Sequence, residues 1–191
     1  MPKIVDHDLY RKELLHKSFN LFAEKGYATI TMRQIAQGLG VSTGTLYHYF
    51  PSKEALFEQL MEEQAEQDIS QVTVQLQQVD TLPDRVRIAF EYLEQNQEYH
   101  FKQSLLCIDY FQQRLQEGQT KSDVLERICE HVENLLAVLL GIHDRELIRF
   151  VMSYVDGLMF SQMYHDDSIN FPRQAQILTD MLTVYLANHP A

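Results

Sequence analysis

Apolar residues recur at three- and four-residue intervals along almost the whole chain, and no stretch alternates apolar with polar residues as a half-buried strand would. That periodicity confines the chain to an all-α fold. The expected helices run over 7–25, 32–39, 43–49, 52–78, 84–97, 99–117, 122–140, 144–165 and 172–188, about nine in total. Gly26, Pro83, Gly118, Gly141 with Asp144, and the stretch 166–172 separate them. Leu14, Leu15, Ser18, Phe19 and Phe22 make the inward face of the first helix.

With 191 residues the chain can hold one small domain joined to a larger one. No apolar run nears the roughly 18 residues needed to cross a bilayer. The longest candidate, 135–142, is broken by Gly141. The first residues carry no signal-peptide pattern, so the expected location is cytoplasmic, with no membrane association. Cys107 and Cys129 lack paired spacing and read as buried thiols. The net charge of −11 argues at first sight against a nucleic-acid partner, but it is unevenly spread. Residues 1–53 hold seven basic and four acidic side chains, net +3, against nine basic and twenty-three acidic in the remainder, net −14. A mildly basic head thus precedes an acidic body.

The segment from Thr31 to Phe50 carries the most chemistry. Thr31 and Gln34 have capping-box spacing, and Ile35, Ala36 and Leu39 line one face of a short helix. Gly40 suits a tight turn, Val41 plugs the corner, and Ser42 is placed to cap a second short helix. Two short helices joined by a glycine turn form a helix-turn-helix, whose second helix enters the DNA major groove. Thr43, Thr45, Tyr47 and His48 bring hydroxyl, phenol and imidazole groups to that helix. Gly44 permits close approach to the duplex, and Lys53 stands ready for a phosphate at the next helix start. The candidate DNA-binding residues are therefore Thr31, Arg33, Gln34, Ser42, Thr43, Gly44, Thr45, Tyr47, His48 and Lys53.

Phe22-Ala23-Glu24-Lys25-Gly26-Tyr27, Thr31 to Ala36, and Ser42 to Leu56 together resemble the N-terminal signature of the TetR (tetracycline-repressor-like) family. The likeness covers about residues 8–65. It implies a helix-turn-helix DNA-binding domain over 8–68, with the motif at 31–50, followed by a helical ligand-binding and dimerisation domain over 69–191. It also implies a homodimer on a palindromic operator and a small-molecule effector that changes the separation of the two heads.

Ser153, Gly157 and Ser161 recur every four residues, and Leu178, Met181, Leu182 and Tyr185 form a stripe on the last helix. Both read as the dimer interface, and Val155-Asp156-Gly157-Leu158 is similar to a common opening of that interface in the family. Phe101, Cys107, Tyr110, Phe111, Arg114, Met152, Tyr154 and Met159 are the candidate effector-binding residues, because aromatic, Met and Cys side chains suit an adaptable apolar cavity. No catalytic, metal or cofactor site is expected. Glu13-x-x-His16 stands alone, Cys129 and His131 are too close for tetrahedral ligation, and no glycine-rich phosphate loop or nucleophile elbow occurs. The expected function is a sequence-specific transcriptional regulator, a repressor that a small molecule releases from its operator. The alternative is a helical small-molecule-binding module or enzyme with an incidental helix-turn-helix-like head.

Overall fold

A computed structural model describes residues 6–162 and 169–189. Among them the regular structure is nine helices: α1 His7–Lys25, α2 Met32–Leu39, α3 Thr43–Tyr49, α4 Lys53–Leu76, α5 Leu82–Gln95, α6 Gln97–Gln116, α7 Asp123–Leu140, α8 Arg145–Ser161 and α9 Phe171–Asn188. The all-α expectation holds, with small differences at the ends. Ser52 lies outside α4 and caps it, accepting from the Ala55 amide at 3.0 Å. Pro83 enters the first turn of α5, where its missing N–H costs nothing, so that helix begins at Leu82. Residues 163–165 of the expected eighth helix lie outside the described residues.

The chain divides into two compact units, residues 1–67 with 105–128, and residues 68–104 with 129–191. Helices α4, α6 and α7 each run from one into the other.

In the first unit, α1 buries the five residues that its period selects, Leu14, Leu15, Ser18, Phe19 and Phe22. The Ser18 hydroxyl donates back to the Leu14 carbonyl at 2.7 Å, so the polar group on this face is satisfied. An aromatic cluster fills the centre. Phe57 lies 5.4 Å from Phe22 and 4.8 Å from both Tyr27 and Tyr110, ring centre to ring centre, within the range of favourable aromatic packing. Gly38 explains how closely α1 and α2 pack, since a β-carbon there would stand 2.6 Å from a methyl of Leu21.

The second unit has its own core. Val86 and Phe90 of α5, Leu147, Ile148, Val151 and Met159 of α8, and Phe171, Ala175, Leu178 and Leu182 of α9 close around Leu140 and Ile142. Arg85 ties two chain ends beside this core, donating to the Leu139 carbonyl at 2.7 Å and the Val79 carbonyl at 3.3 Å. Asp144 caps α8 through the amides of Glu146 and Leu147 at 2.9 and 3.3 Å.

Candidate nucleic-acid interface

The segment 31–50 folds as its local chemistry dictates. Thr31 and Gln34 complete the capping box: the Gln34 amide donates to Thr31 Oγ1 at 3.3 Å and the Thr31 amide to Gln34 Oε1 at 2.9 Å. Gly40 takes the left-handed conformation, φ +70°, that ends α2. Val41 then donates to the Ala36 carbonyl at 3.0 Å, closing the turn. Ser42 caps α3 by accepting from the Thr45 amide at 2.9 Å. Leu46 and Phe50 are wholly buried and fix α3 on the unit, which leaves Gly44, Tyr47 and His48 exposed and Thr43 and Thr45 half-buried.

Thr31, Gln34, Ser42 and Thr45 already serve the helix ends, and Ser42 and Thr45 share a hydroxyl contact of 2.8 Å. Arg33, Tyr47 and His48 project outward. Gly44 is informative by elimination. A β-carbon there would meet only Ser42 Oγ, at 3.7 Å, so nothing inside the protein requires glycine.

Lys53 is more constrained than its sequence position suggests. Its ammonium donates to the carbonyls of Tyr27 at 2.7 Å and Ala28 at 3.3 Å and lies 4.5 Å from the Tyr27 ring centre. Burial lowers its pKa from the ordinary lysine value. It braces the loop between α1 and α2, with one N–H left for an outside acceptor. Asp109 of α6 grips the same loop by accepting from the Ala28 amide at 3.1 Å. His7 is a further residue that sequence reading missed: its Nδ1 lies 2.8 Å from the Tyr49 hydroxyl, beside the His48 ring. No linear signal marks a pair 42 positions apart.

The residues chosen for an effector separate into two sets. Cys107, Tyr110, Phe111 and Arg114 belong to the first unit; Phe101, Met152, Tyr154 and Met159 belong to the second. Tyr110 is a fully buried part of the first unit's aromatic cluster, and its hydroxyl donates to Glu58 Oε1 at 2.7 Å. Burial and that carboxylate raise its pKa well above the usual phenol range. Arg114 pairs with Glu54 and reaches the Lys121 carbonyl, and Cys107 Sγ lies 3.8 Å from Met61 Sδ. Phe111 is exposed. In the second unit Met159 is core, Tyr154 donates to Gln174 Oε1 at 2.5 Å, and Phe101 and Met152 are half-buried.

The stripes chosen for dimerisation also divide. Leu178 and Leu182 face the second unit's own core, whereas Met181, Val184 and Tyr185 are exposed. Two adjacent apolar sectors of α9 had merged into one stripe in the sequence. Ser153 and Gly157 are exposed and Ser161 is half-buried, and a β-carbon on Gly157 would meet nothing within 4 Å. Among the described residues, no group of three or more His, Cys, Asp or Glu is placed to hold a metal, and no helix is long and apolar enough to cross a membrane.

A capped two-helix motif, with its second helix offered to solvent on a helical scaffold, is the geometry of a helix-turn-helix DNA-binding unit. The family comparison agrees: residues 14–60 match the model of the bacterial regulatory proteins of the tetR family. The match covers the helix-turn-helix head, and over those residues the chain is similar to that family. It is 45% identical over 51 residues to the transcriptional repressor KstR2 of Mycobacterium tuberculosis (strain CDC 1551 / Oshkosh), an alignment covering 27% of this chain and only 26% of that repressor. Against the transcriptional regulator BetI of Vibrio atlanticus (strain LGP32) it is 25% identical over 190 residues, covering 95% of this chain and 94% of BetI. Its fold is similar to that of FadR from Bacillus subtilis, a transcriptional regulator solved in complex with stearoyl-CoA. That match has a TM-score of 0.65 and 20% identity, and covers 90% of this chain and 96% of FadR.

Proposed function

We propose that the protein is a homodimeric repressor that reads a palindromic operator through α3 and leaves it when a small molecule binds the helical body. The observation that carries this reading is the exposed face of α3, where Gly44 meets no need of the protein itself. Arg33, Thr43, Tyr47 and His48 are the readers of bases and phosphates. Thr31, Gln34, Ser42 and Thr45 hold the helix ends while offering hydroxyl and amide groups to the backbone. A second copy doubles the contacts and matches operator symmetry. The exposed Ser153, Gly157, Met181 and Tyr185 are the surface for that copy, and Leu178 and Leu182 support it from beneath. The compartment of action is the cytoplasm, where the DNA is. Regulators similar in sequence or fold carry repressor names or hold a small molecule, which supports the same reading here.

The test is a mobility shift with DNA from the region upstream of the protein's own gene, at several salt concentrations. A salt-sensitive shift that the Arg33→Ala and Tyr47→Ala variants lose is the expected result. Absence of any shift at low salt would refute the proposal.

A further inference from the structure

A groove of about 340 Å³ follows the contact of α5 with α9, wholly within the second unit. That volume lies in the range of small-ligand sites. On α5 it is lined by Pro83, Arg87, Phe90 and Glu94, which follow one another at three- or four-residue intervals and so share one helical face. On α9 the same spacing brings Pro172, Ala175 and Thr179 to it. Phe90 and Ala175 are buried and supply an apolar base, while Glu91, Glu94 and Gln176 are exposed along the rim.

The rim is acidic. Asp84, Glu91 and Glu94 line the groove against one cation, Arg87. Arg87 is already engaged, donating to Glu91 at 2.8 Å and to Asp84 at 3.3 Å. Glu94 forms no ion pair among the described residues. Gln176 Nε2 donates to Asp180 Oδ1 at 2.8 Å, which leaves the Gln176 carbonyl oxygen to accept.

Thr179 is a second and independent sign of a ligand. It is only 7% exposed, yet its hydroxyl makes no hydrogen bond among the described residues. A buried threonine or serine in a helix ordinarily returns its hydroxyl to the carbonyl four residues earlier. Thr183 does so, donating to the Thr179 carbonyl at 2.7 Å, and Ser18 and Ser104 do the same on their own helices. Thr179 does not. Its hydroxyl is also not sealed off, as that of Thr73 is, and the residue lines the groove. The groups left without a protein partner are thus a carboxylate, an amide oxygen and a hydroxyl, and all three accept hydrogen bonds.

We propose that the groove binds a small organic ammonium with an apolar body, the body lying on Phe90 and Ala175 and the ammonium held among Glu94, Gln176 and Thr179. Free acceptors beside excess negative charge call for a cation with N–H donors, and the buried base calls for apolar surface. An anion is repelled, an alcohol forgoes the charge, and an ammonium without a body forgoes the base. The site deepens the effector reading and rests on it for its regulatory consequence; occupancy itself is measured without DNA.

The test uses the full chain and hexylammonium as probe, with hexanol, hexanoate and methylammonium as controls, in titration calorimetry. Hexylammonium is expected to bind at least about tenfold more tightly than methylammonium, and hexanoate not at all. Thr179→Val keeps the size of the side chain and removes a hydroxyl that has no partner in the chain. It should not lower the melting temperature, and it should weaken hexylammonium about threefold or more. Glu94→Gln, at an exposed position, should weaken it by a similar factor. In wild-type protein with labelled alanine and threonine methyl groups, the Ala175 and Thr179 resonances should shift on binding, a readout that needs no variant. Equal affinity in either variant, methylammonium binding as tightly as hexylammonium, binding of hexanoate, or unmoved Ala175 and Thr179 resonances at about 10 mM hexylammonium would each overturn the proposal. If hexylammonium binds without releasing operator, the effector reading of this groove fails and the site stands. If another compound releases operator and no ammonium binds, the site fails and the effector reading stands.

Discussion

Gly157 separates the demands of the protomer from those of a dimer. A β-carbon there would meet nothing within 4 Å in the chain, so Gly157→Leu places its side chain in open space in an isolated subunit. Replacing a mid-helix glycine should even stabilise the folded protomer, by roughly 0.8–1 kcal/mol on helix propensity. A partner helix against the Ser153–Gly157 face changes the outcome. Overpacking a close contact costs about 1–3 kcal/mol, and in a two-fold interface the substitution occurs twice. The expected penalty of about 2–6 kcal/mol corresponds to a loss of dimer affinity between roughly thirtyfold and twenty-thousandfold. Sedimentation equilibrium over a dilution series measures it directly. Thermal melting at high dilution should show the protomer intact. An unchanged dimerisation constant, or a wild-type protein monomeric at micromolar concentration, refutes the assignment of this face.

Gly44→Val adds bulk where the protein has room, so it should leave the melting temperature within a few degrees of wild type, lowered only by helix propensity, while operator affinity falls at least about tenfold; unchanged binding in a mobility shift would mean that α3 does not approach the duplex there. Lys53→Ala should weaken all DNA sequences alike and lower the salt slope by about one unit. Because the ammonium also holds the carbonyls of Tyr27 and Ala28, hydrogen exchange at residues 26–31 should quicken as well. Burial lowers the His100 pKa, so the fold prefers its neutral ring. That contribution is complete above the ordinary histidine value of about 6.5 and is lost as pH falls through it toward the depressed value. Denaturant titrations from pH 7.5 to 5 should show the loss in wild type and its absence in His100→Gln.

The helix-turn-helix was legible in the sequence because its determinants are local. The capping box, the Gly40 turn and the Ser42 cap act over three or four residues, and the structure realises each of them. The roles of Asp109 and His7 were not legible, because their partners lie 81 and 42 positions away. Only part of the Lys53 role was legible for the same reason: its position at a helix start shows in the sequence, but the two carbonyls that it braces do not. Helix α9 presents a different difficulty. Its period is correct, yet apolar residues cover both an inward sector with Leu178 and Leu182 and an outward one with Met181 and Val184. Hydrophobicity alone does not divide a stripe that wide. Gly38, like Gly44, is a helical glycine, and only the packing distances show that one serves Leu21 and the other serves nothing within the chain.

Tyr110 tests whether the head extends beyond its first helices. As an aromatic in the middle of the body's sequence it resembled a pocket wall, but it stacks on Phe57 of α4 and lies 4.9 Å from Tyr27 of the loop between α1 and α2. Its hydroxyl and that of Ser122 both donate to Glu58 Oε1 at 2.7 Å. Two consequences follow, and they can be measured apart. Tyr110→Ala removes a fully buried ring and should destabilise the head by about 3–5 kcal/mol, with operator binding lost at temperatures where wild type still binds. Tyr110→Phe keeps the ring and removes a donor to a carboxylate that Ser122 still serves and an acceptor for Arg114, which keeps Glu54, so it should cost only about 1–2 kcal/mol and leave operator binding at room temperature intact. A pocket residue would behave otherwise, losing effector response in both variants with stability nearly unchanged. If urea unfolding shows Tyr110→Ala within about 1 kcal/mol of wild type, the ring is not holding the head and residues 105–128 belong functionally to the body.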